Sequence, residues 1–417
     1  MRFRHLGVCV MWLLLPSVMA IDSQEFNAKV ERARAFYLQE NLAGLILADP
    51  ANVNWMLGGD AASSVYPPGG GAPAFLVTGK SIYLIAADGE LQHVQNQFAK
   101  SLVIASTSIP WTGALGSRKL YLEAERLIPQ RIGTDTMPLP ARPLSRFERR
   151  VLYGDKAEEK KDADPVTDRL QMLGARMRAL RFPLLDPELE RYRAFGKQLA
   201  RVCESVARQI EVGQSDFEIT ALAARELYRQ ELVPVSIRIA LDDTAMTASS
   251  VAPRGETLAR FAQISLTARK SGLHASVTRL VHFGPVPEKL AKRQNGVTKT
   301  MAGLIEALKP GQKVAEMIKP VPPPGGQEKV ARVWQALPLG WSTGYQEKEF
   351  FLSPIGQEFV DEGMVCVLQP QLEGARIEET VRLESKGFEI LTAPGDWPVL
   401  ELTVRGQSLK LPGILVR

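Results

Sequence analysis

Gly272-Leu-His-Ala-Ser-Val-Thr-Arg279, continued by Val281-His-Phe-Gly284, is the stretch from which the rest of the chain can be placed. Its β-branched and aromatic residues between Ser276 and Phe283 suit a buried pleated surface, so a strand is expected there and another at Gln263–Thr267. Ser236–Leu241 upstream, and Met364–Leu368 and Arg376–Leu383 downstream, are further strand candidates. A helix is expected from Pro287 to Leu308, stopped by Pro310-Gly311. Lys319–Gly326 is too rich in proline and glycine for regular structure and is expected to be a surface loop.

Ahead of these strands, Asp186-Pro187 predicts a helix start, with Asp186 as N-cap and proline at the first helical position. Leu189, Tyr192, Phe195, Leu199, Val202, Val206 and Ile210 then recur at spacings of three and four, one buried stripe ending at Gly213. Ser215-Asp-Phe-Glu218 is a capping box for the next helix. Further back, Phe26–Glu40 is amphipathic, and Leu42–Ala48 and Val53–Leu57 are short buried-strand candidates. Ala74–Thr78 and Ser81–Ala87 are expected to pair as a hairpin around Gly79-Lys80. The mixed-charge run at 154–164 reads as a solvated linker or helix face, which puts a domain boundary near residue 176.

The chain has 417 residues, 45% hydrophobic and 23% charged, values that exclude disordered, collagen-like and coiled-coil classes. Arg2 and Arg4, the apolar run Leu6–Leu15 and Val18-Met-Ala20 have the form of an export signal too short to span a bilayer. Removal of residues 1–20 leaves 49 basic against 46 acidic residues, a balance that argues against nucleic-acid or anionic-membrane partners. The expected location is periplasmic or secreted. Cys203 and Cys366 then remain, with no sequence sign of whether they pair, and His93, His274 and His282 are the remaining histidines.

About residues 177–417 resemble the pita-bread family of creatinase, prolidase, aminopeptidase P and methionine aminopeptidase. The resemblance rests on Gly272–Arg279 with Val281–Gly284, on Glu362-Gly-Met-Val365, on Arg376-Ile-Glu-Glu-Thr-Val381 and on Glu389-Ile-Leu-Thr392. Residues 22–176 resemble the creatinase-type N-terminal domain through Ala43-Gly-Leu-Ile-Leu47 and Ala51-Asn-Val-Asn-Trp-Met-Leu-Gly58. The resemblance implies an α/β domain over 21–176 and an α+β pita-bread domain over 177–417, built on a curved antiparallel sheet and usually dimeric. In active members it implies two metal ions between two aspartates, a histidine and two glutamates, activating a bridged water.

Set against that pattern, the two aspartate positions are Ser265 and Ser276, and the histidine position is Trp341 within Gly340-Trp-Ser-Thr-Gly-Tyr-Gln-Glu-Lys-Glu349. Lys348 stands at the second histidine, Gln369 at the first glutamate and Ser250 at the substrate-side histidine, while Glu378 is the one ligand retained. Sliding the register rescues nothing: Thr244–Val360 contains no aspartate and no histidine follows His282. Ser265, Ser276 and Gln369 are expected as satisfied polar groups, Trp341 as filler of the void, and Glu378 as an ion pair of Arg376, Arg279 or Lys348. His274 and His282 match non-ligand positions.

These departures imply an exported, catalytically degenerate homologue that uses no metal or other cofactor and binds a peptide, small-molecule or protein partner, as a homodimer. The alternatives are a metal-free hydrolase of the creatinase kind, in which Ser265 or Ser276 acts as nucleophile with Lys348 or Glu378 as base, or a divergent Xaa-Pro aminopeptidase or dipeptidase.

Overall fold

A computed structural model describes residues 21–59, 73–96, 102, 104–109, 116–136, 145–154, 169–247, 252–324 and 338–417. The signal-like segment 1–20, nearly all of the charged run at 154–164, and Ser250 lie outside the described residues.

Among the described residues the N-terminal part holds six strands, β1 (Gly44–Leu47), β2 (Ala74–Thr78), β3 (Ile82–Ala87), β4 (Ala105–Ile109), β5 (Ile132–Thr134) and β6 (Leu170–Met172). They form one mixed sheet in the order β4-β3-β2-β1-β5-β6. β2 and β3 pair antiparallel, as the hairpin reading expects. Helices α1 (Ser23–Gln39), α2 (Pro50–Leu57), α3 (Asp88–Gln95), α4 (Gly116–Leu127) and α5 (Arg146–Tyr153) accompany the sheet.

Val53–Leu57, expected as a strand, is instead the second half of α2. The Asp49 carboxylate accepts from Ala51 N at 2.8 Å, and Pro50 opens the helix. Ala51–Leu57 is buried throughout, so no polar face exists to print a helical period on the sequence.

The C-terminal part begins with α6 (Asp186–Gln209) and α7 (Asp216–Arg229). The seven-residue stripe of α6, Leu189 to Ile210, is buried, and the Ser215 capping box opens α7. The cap of α6 is Leu185 rather than Asp186: Leu189 N donates to Leu185 O, and the Glu188 carboxylate takes the Leu185 N–H at 2.8 Å. A glutamate at the third helical position thus does the work expected of Asp186.

The remaining elements are β7 (Val233–Leu241), α8 (Asp242–Thr247), β8 (Phe261–Lys270), β9 (Leu273–His282), α9 (Glu288–Ala307), α10 (Val314–Ile318), β10 (Gly340–Thr343), β11 (Phe350–Leu352), β12 (Val365–Leu368), β13 (Gln371–Leu372), β14 (Ala375–Arg376), β15 (Glu379–Leu383), β16 (Phe388–Ile390), β17 (Val399–Val404), β18 (Gln407–Pro412) and β19 (Ile414–Val416). Arg376–Leu383, expected as one strand, is broken at Ile377-Glu378 into β14 and β15.

The long strands make a four-stranded sheet, β19-β9-β8-β7, and a five-stranded one, β11-β10-β12-β15-β16. The four-stranded sheet is antiparallel except where β19 joins β9 in parallel. His274 N donates to Gly344 O at 2.8 Å and Thr278 N to Glu378 O at 3.0 Å, so one edge of β9 is bonded to the second sheet and the two halves turn toward each other as a single curved surface.

The seam between the parts is packed. One apolar core runs from Phe26, Val30 and Trp55 through Met177 and Leu180 to Tyr192 and Phe195. Embedded in it, the Lys29 ammonium donates to Trp55 O and to Glu25, both at 2.6 Å, and pairs with Glu188 at 2.9 Å. Tyr345 OH donates to Glu188 at 2.6 Å, and Arg181 pairs with Glu349 at 2.6 Å. These contacts tie the loop after β10, which belongs to the candidate site, to the N-terminal part. Among the described residues no helix is long and apolar enough to cross a membrane.

Candidate functional site

The β7–β8–β9 register builds the site in rows. Arg238 lies opposite Ser265, and Ser265 opposite Thr278; one step along, Thr267 lies opposite Ser276. Residues directly opposite share a face, as do residues two apart on one strand, so these five side chains form one patch. Ser265 and Thr278 hydroxyls bond at 2.6 Å, and Thr267 and Ser276 at 2.9 Å. All four hydroxyl residues are buried.

The second sheet closes over this patch. Thr380 Oγ1 accepts from Ser276 N and donates to Ser276 O, each at 2.9 Å. Thr278 Oγ1 donates to Glu378 Oε2 at 3.1 Å. Glu378, with no exposed surface, is clasped by two guanidinium groups: Arg238 Nη2 reaches Oε1 at 2.7 Å and Oε2 at 3.0 Å, and Arg376 Nη2 reaches Oε2 at 2.5 Å. Arg376 Nη2 also donates to Gln369 Oε1 at 2.8 Å. Burial alone would raise the Glu378 carboxyl, but Arg238 and then Arg376 outweigh it and hold the group below the usual carboxylate range.

Trp341 completes the site from β10, in a row with Val367 and Thr380. Trp341 is only 3% exposed. Its Nε1 is buried without a hydrogen-bond partner among the described residues. The Lys348 ammonium sits 5.1 Å from the centre of the Trp341 ring and pairs with Glu347 at 3.1 Å.

The structure therefore joins Ser265, Gln369 and Glu378 through Thr278 and Arg376, and brings Ser276 beside them. Two expectations need correction. Arg279 does not belong to this patch: it alternates to the other face of β9, where it pairs with Glu379 at 2.6 Å and with Glu204 of α6 at 3.2 Å. Of the three expected partners of Glu378, Arg376 does pair with it, while the second described partner is Arg238 rather than Arg279 or Lys348. His274 and His282 bond backbone carbonyls of Gly344 and Gly284, as structural histidines. Both Cys203 and Cys366 are buried free thiols. Arg238, whose side chain is 19% exposed, escapes the sequence reading, although a charge at the centre of Ser236-Ile-Arg-Ile-Ala-Leu241 marks a strand with a polar contact on one face.

The donor set does not fit a pair of divalent ions. Hydroxyls, an amide and an indole offer no charge, and the one carboxylate is already neutralised by guanidinium groups. Among the described residues no cluster of three or more His, Cys, Asp or Glu side chains could hold a metal ion. Neither serine meets Lys348 or Glu378 directly among the described hydrogen bonds: each hydroxyl is bonded to a threonine, and Lys348 sits against Trp341 and Glu347. A groove of about 530 Å³ lies elsewhere, between α6 and α7, lined by Gln198, Arg201 and Glu226 among others.

Residues 190–385 match the sequence profile of metallopeptidase family M24. No curated protein sequence matches the chain significantly. Among solved structures, the Xaa-Pro dipeptidase from Bacillus anthracis superposes with a TM-score of 0.66 at 15% identity, covering 94% of this chain and 100% of that one. The X-Pro aminopeptidase from Thermotoga maritima gives 0.66 at 17% identity, covering 93% and 99%. The N-terminal domain of FACT complex subunit SPT16 from Cicer arietinum gives 0.61 at 15% identity, covering 90% and 97%. At such identities the likeness is one of fold, an α/β domain followed by a pita-bread domain.

Proposed function

We propose that the chain, which matches the profile of metallopeptidase family M24 over residues 190–385, works without metal and without peptidase chemistry, as an exported binding protein on the pita-bread scaffold. The observation that carries this reading is the closure of the centre. At the position where a metal ligand is expected, the retained carboxylate of Glu378 is bound by Arg238 and Arg376, and Ser265 and Ser276 spend their hydroxyls on Thr278 and Thr267. A bridging water would have neither cations to acidify it nor a free base beside it.

The N-terminal charge and apolar pattern of residues 1–20 supports export to the periplasm or beyond. A protein, peptide or small molecule is the proposed partner class. The same scaffold serves as a domain of a FACT complex subunit in Cicer arietinum, which supports use of the fold within an assembly. Incubating the purified mature chain with Xaa-Pro dipeptides, with and without Mn²⁺, tests the proposal. No turnover is expected in either condition; Mn²⁺-dependent release of proline would overturn it.

A further inference from the structure

Arg238 occupies a place in the fold that the lost ligands alone do not explain. It is the direct cross-strand neighbour of Ser265, the position of the first expected aspartate, and its Nη2 bonds both oxygens of Glu378. Arg376 divides its donors among Glu378, Gln369 and Gln371, and meets Glu378 at Oε2. Thr278 also donates to Oε2. Among the described hydrogen bonds, Oε1 of this fully buried carboxylate is served by Arg238 alone.

A buried carboxylate persists only with a positive or hydrogen-bonding partner. We propose that Arg238 is the internal cation that replaces the metal pair as countercharge for Glu378, and that it bars divalent ions from the centre independently of the lost ligands. This rests on the metal-free reading above. Geometry supports the exclusion: a guanidinium in the same row as residue 265 would meet an aspartate there as its own ion-pair partner, and would repel a dication held by that aspartate. The missing ligands and the presence of Arg238 are thus two separate barriers to metal.

The test compares two back-substituted chains, Ser265→Asp/Ser276→Asp/Trp341→His/Gln369→Glu with Arg238 kept, and the same four changes with Arg238→Val. Titration with Mn²⁺ by calorimetry should show no uptake by the first and uptake by the second. Equal uptake by both would overturn the proposal. In case neither refolds into a binding form, a double-mutant cycle of Arg238→Met and Glu378→Gln, followed by urea unfolding of the otherwise unaltered chain, decides alone. Each single change should lower the midpoint, and the double change should lower it by far less than the sum. Strict additivity would overturn the role of Arg238. Uptake of Mn²⁺ by the unaltered chain would undo the proposed function instead, while the cycle still measures the coupling of Arg238 to Glu378 separately.

Discussion

Replacing Lys29 by methionine should destabilise the seam strongly while keeping its packing volume. The ammonium is wholly buried, with Trp55 O and Glu25 at 2.6 Å and Glu188 at 2.9 Å, and its two carboxylate partners are at most 1% exposed. Glu25 would keep Arg191, at 2.7 Å, but Glu188 would keep only the Tyr345 hydroxyl and the Leu185 N–H among its described bonds. Stranding one member of a buried pair costs about 3–5 kcal/mol. At roughly 2–4 °C per kcal/mol for a domain of this size, the melting temperature should fall by about 6–20 °C in calorimetry. Adding Glu188→Gln should recover part of the loss, because it removes the stranded charge. A loss below about 1 kcal/mol, the worth of a surface pair, would refute the reasoning. The site is coupled to this result, since Tyr345 anchors the loop that follows Trp341.

Two further outcomes are expected. Burial pushes the Glu90 carboxyl up to about 7, and its Oε2 has no hydrogen-bond partner among the described residues. A raised carboxyl contributes stability that is complete below the unfolded value of 4.5 and lost as pH rises through 7, so Glu90→Gln should raise the melting temperature at pH 8 and leave it nearly unchanged at pH 5; equal shifts at both would contradict this. At Gly340 a Cβ would stand 2.0 Å from Val367 O across the β10–β12 pair, so Gly340→Ala should cost roughly 1–3 kcal/mol or more in urea unfolding and shift Trp341 fluorescence.

Much of the fold is legible in the sequence because its elements carry both local and periodic signals. The α6 stripe, the Ser215 capping box and the β2–β3 hairpin each combine a pattern with a boundary residue. Helix α2 escapes a periodic reading for the opposite reason: burial on every side erases its period, and only Asp49-Pro50 marks its start. The same Asp-Pro signal at Asp186 places the cap one residue late, because Glu188 supplies the capping carboxylate there.

At the site, positions are readable wherever a resembling motif flanks them, as with Ser265, Ser276, Gln369 and Glu378. The cation that meets Glu378 is not readable, because Arg238 comes from a strand with no such motif and meets Glu378 only across 140 residues of chain. Arg279 illustrates the converse error. Its neighbour Thr278 faces the centre, and strand alternation sends Arg279 to Glu204 and Glu379 on the other side.

The central claim is that this centre is held by guanidinium groups rather than by metal. Elemental analysis of the purified protein, before and after dialysis against Mn²⁺, tests it most directly. The predicted result is no stoichiometric Mn, Co or Zn in either sample and no change in unfolding midpoint with chelator. Two equivalents of metal per chain, with stability or peptidase activity lost on chelation, would contradict it.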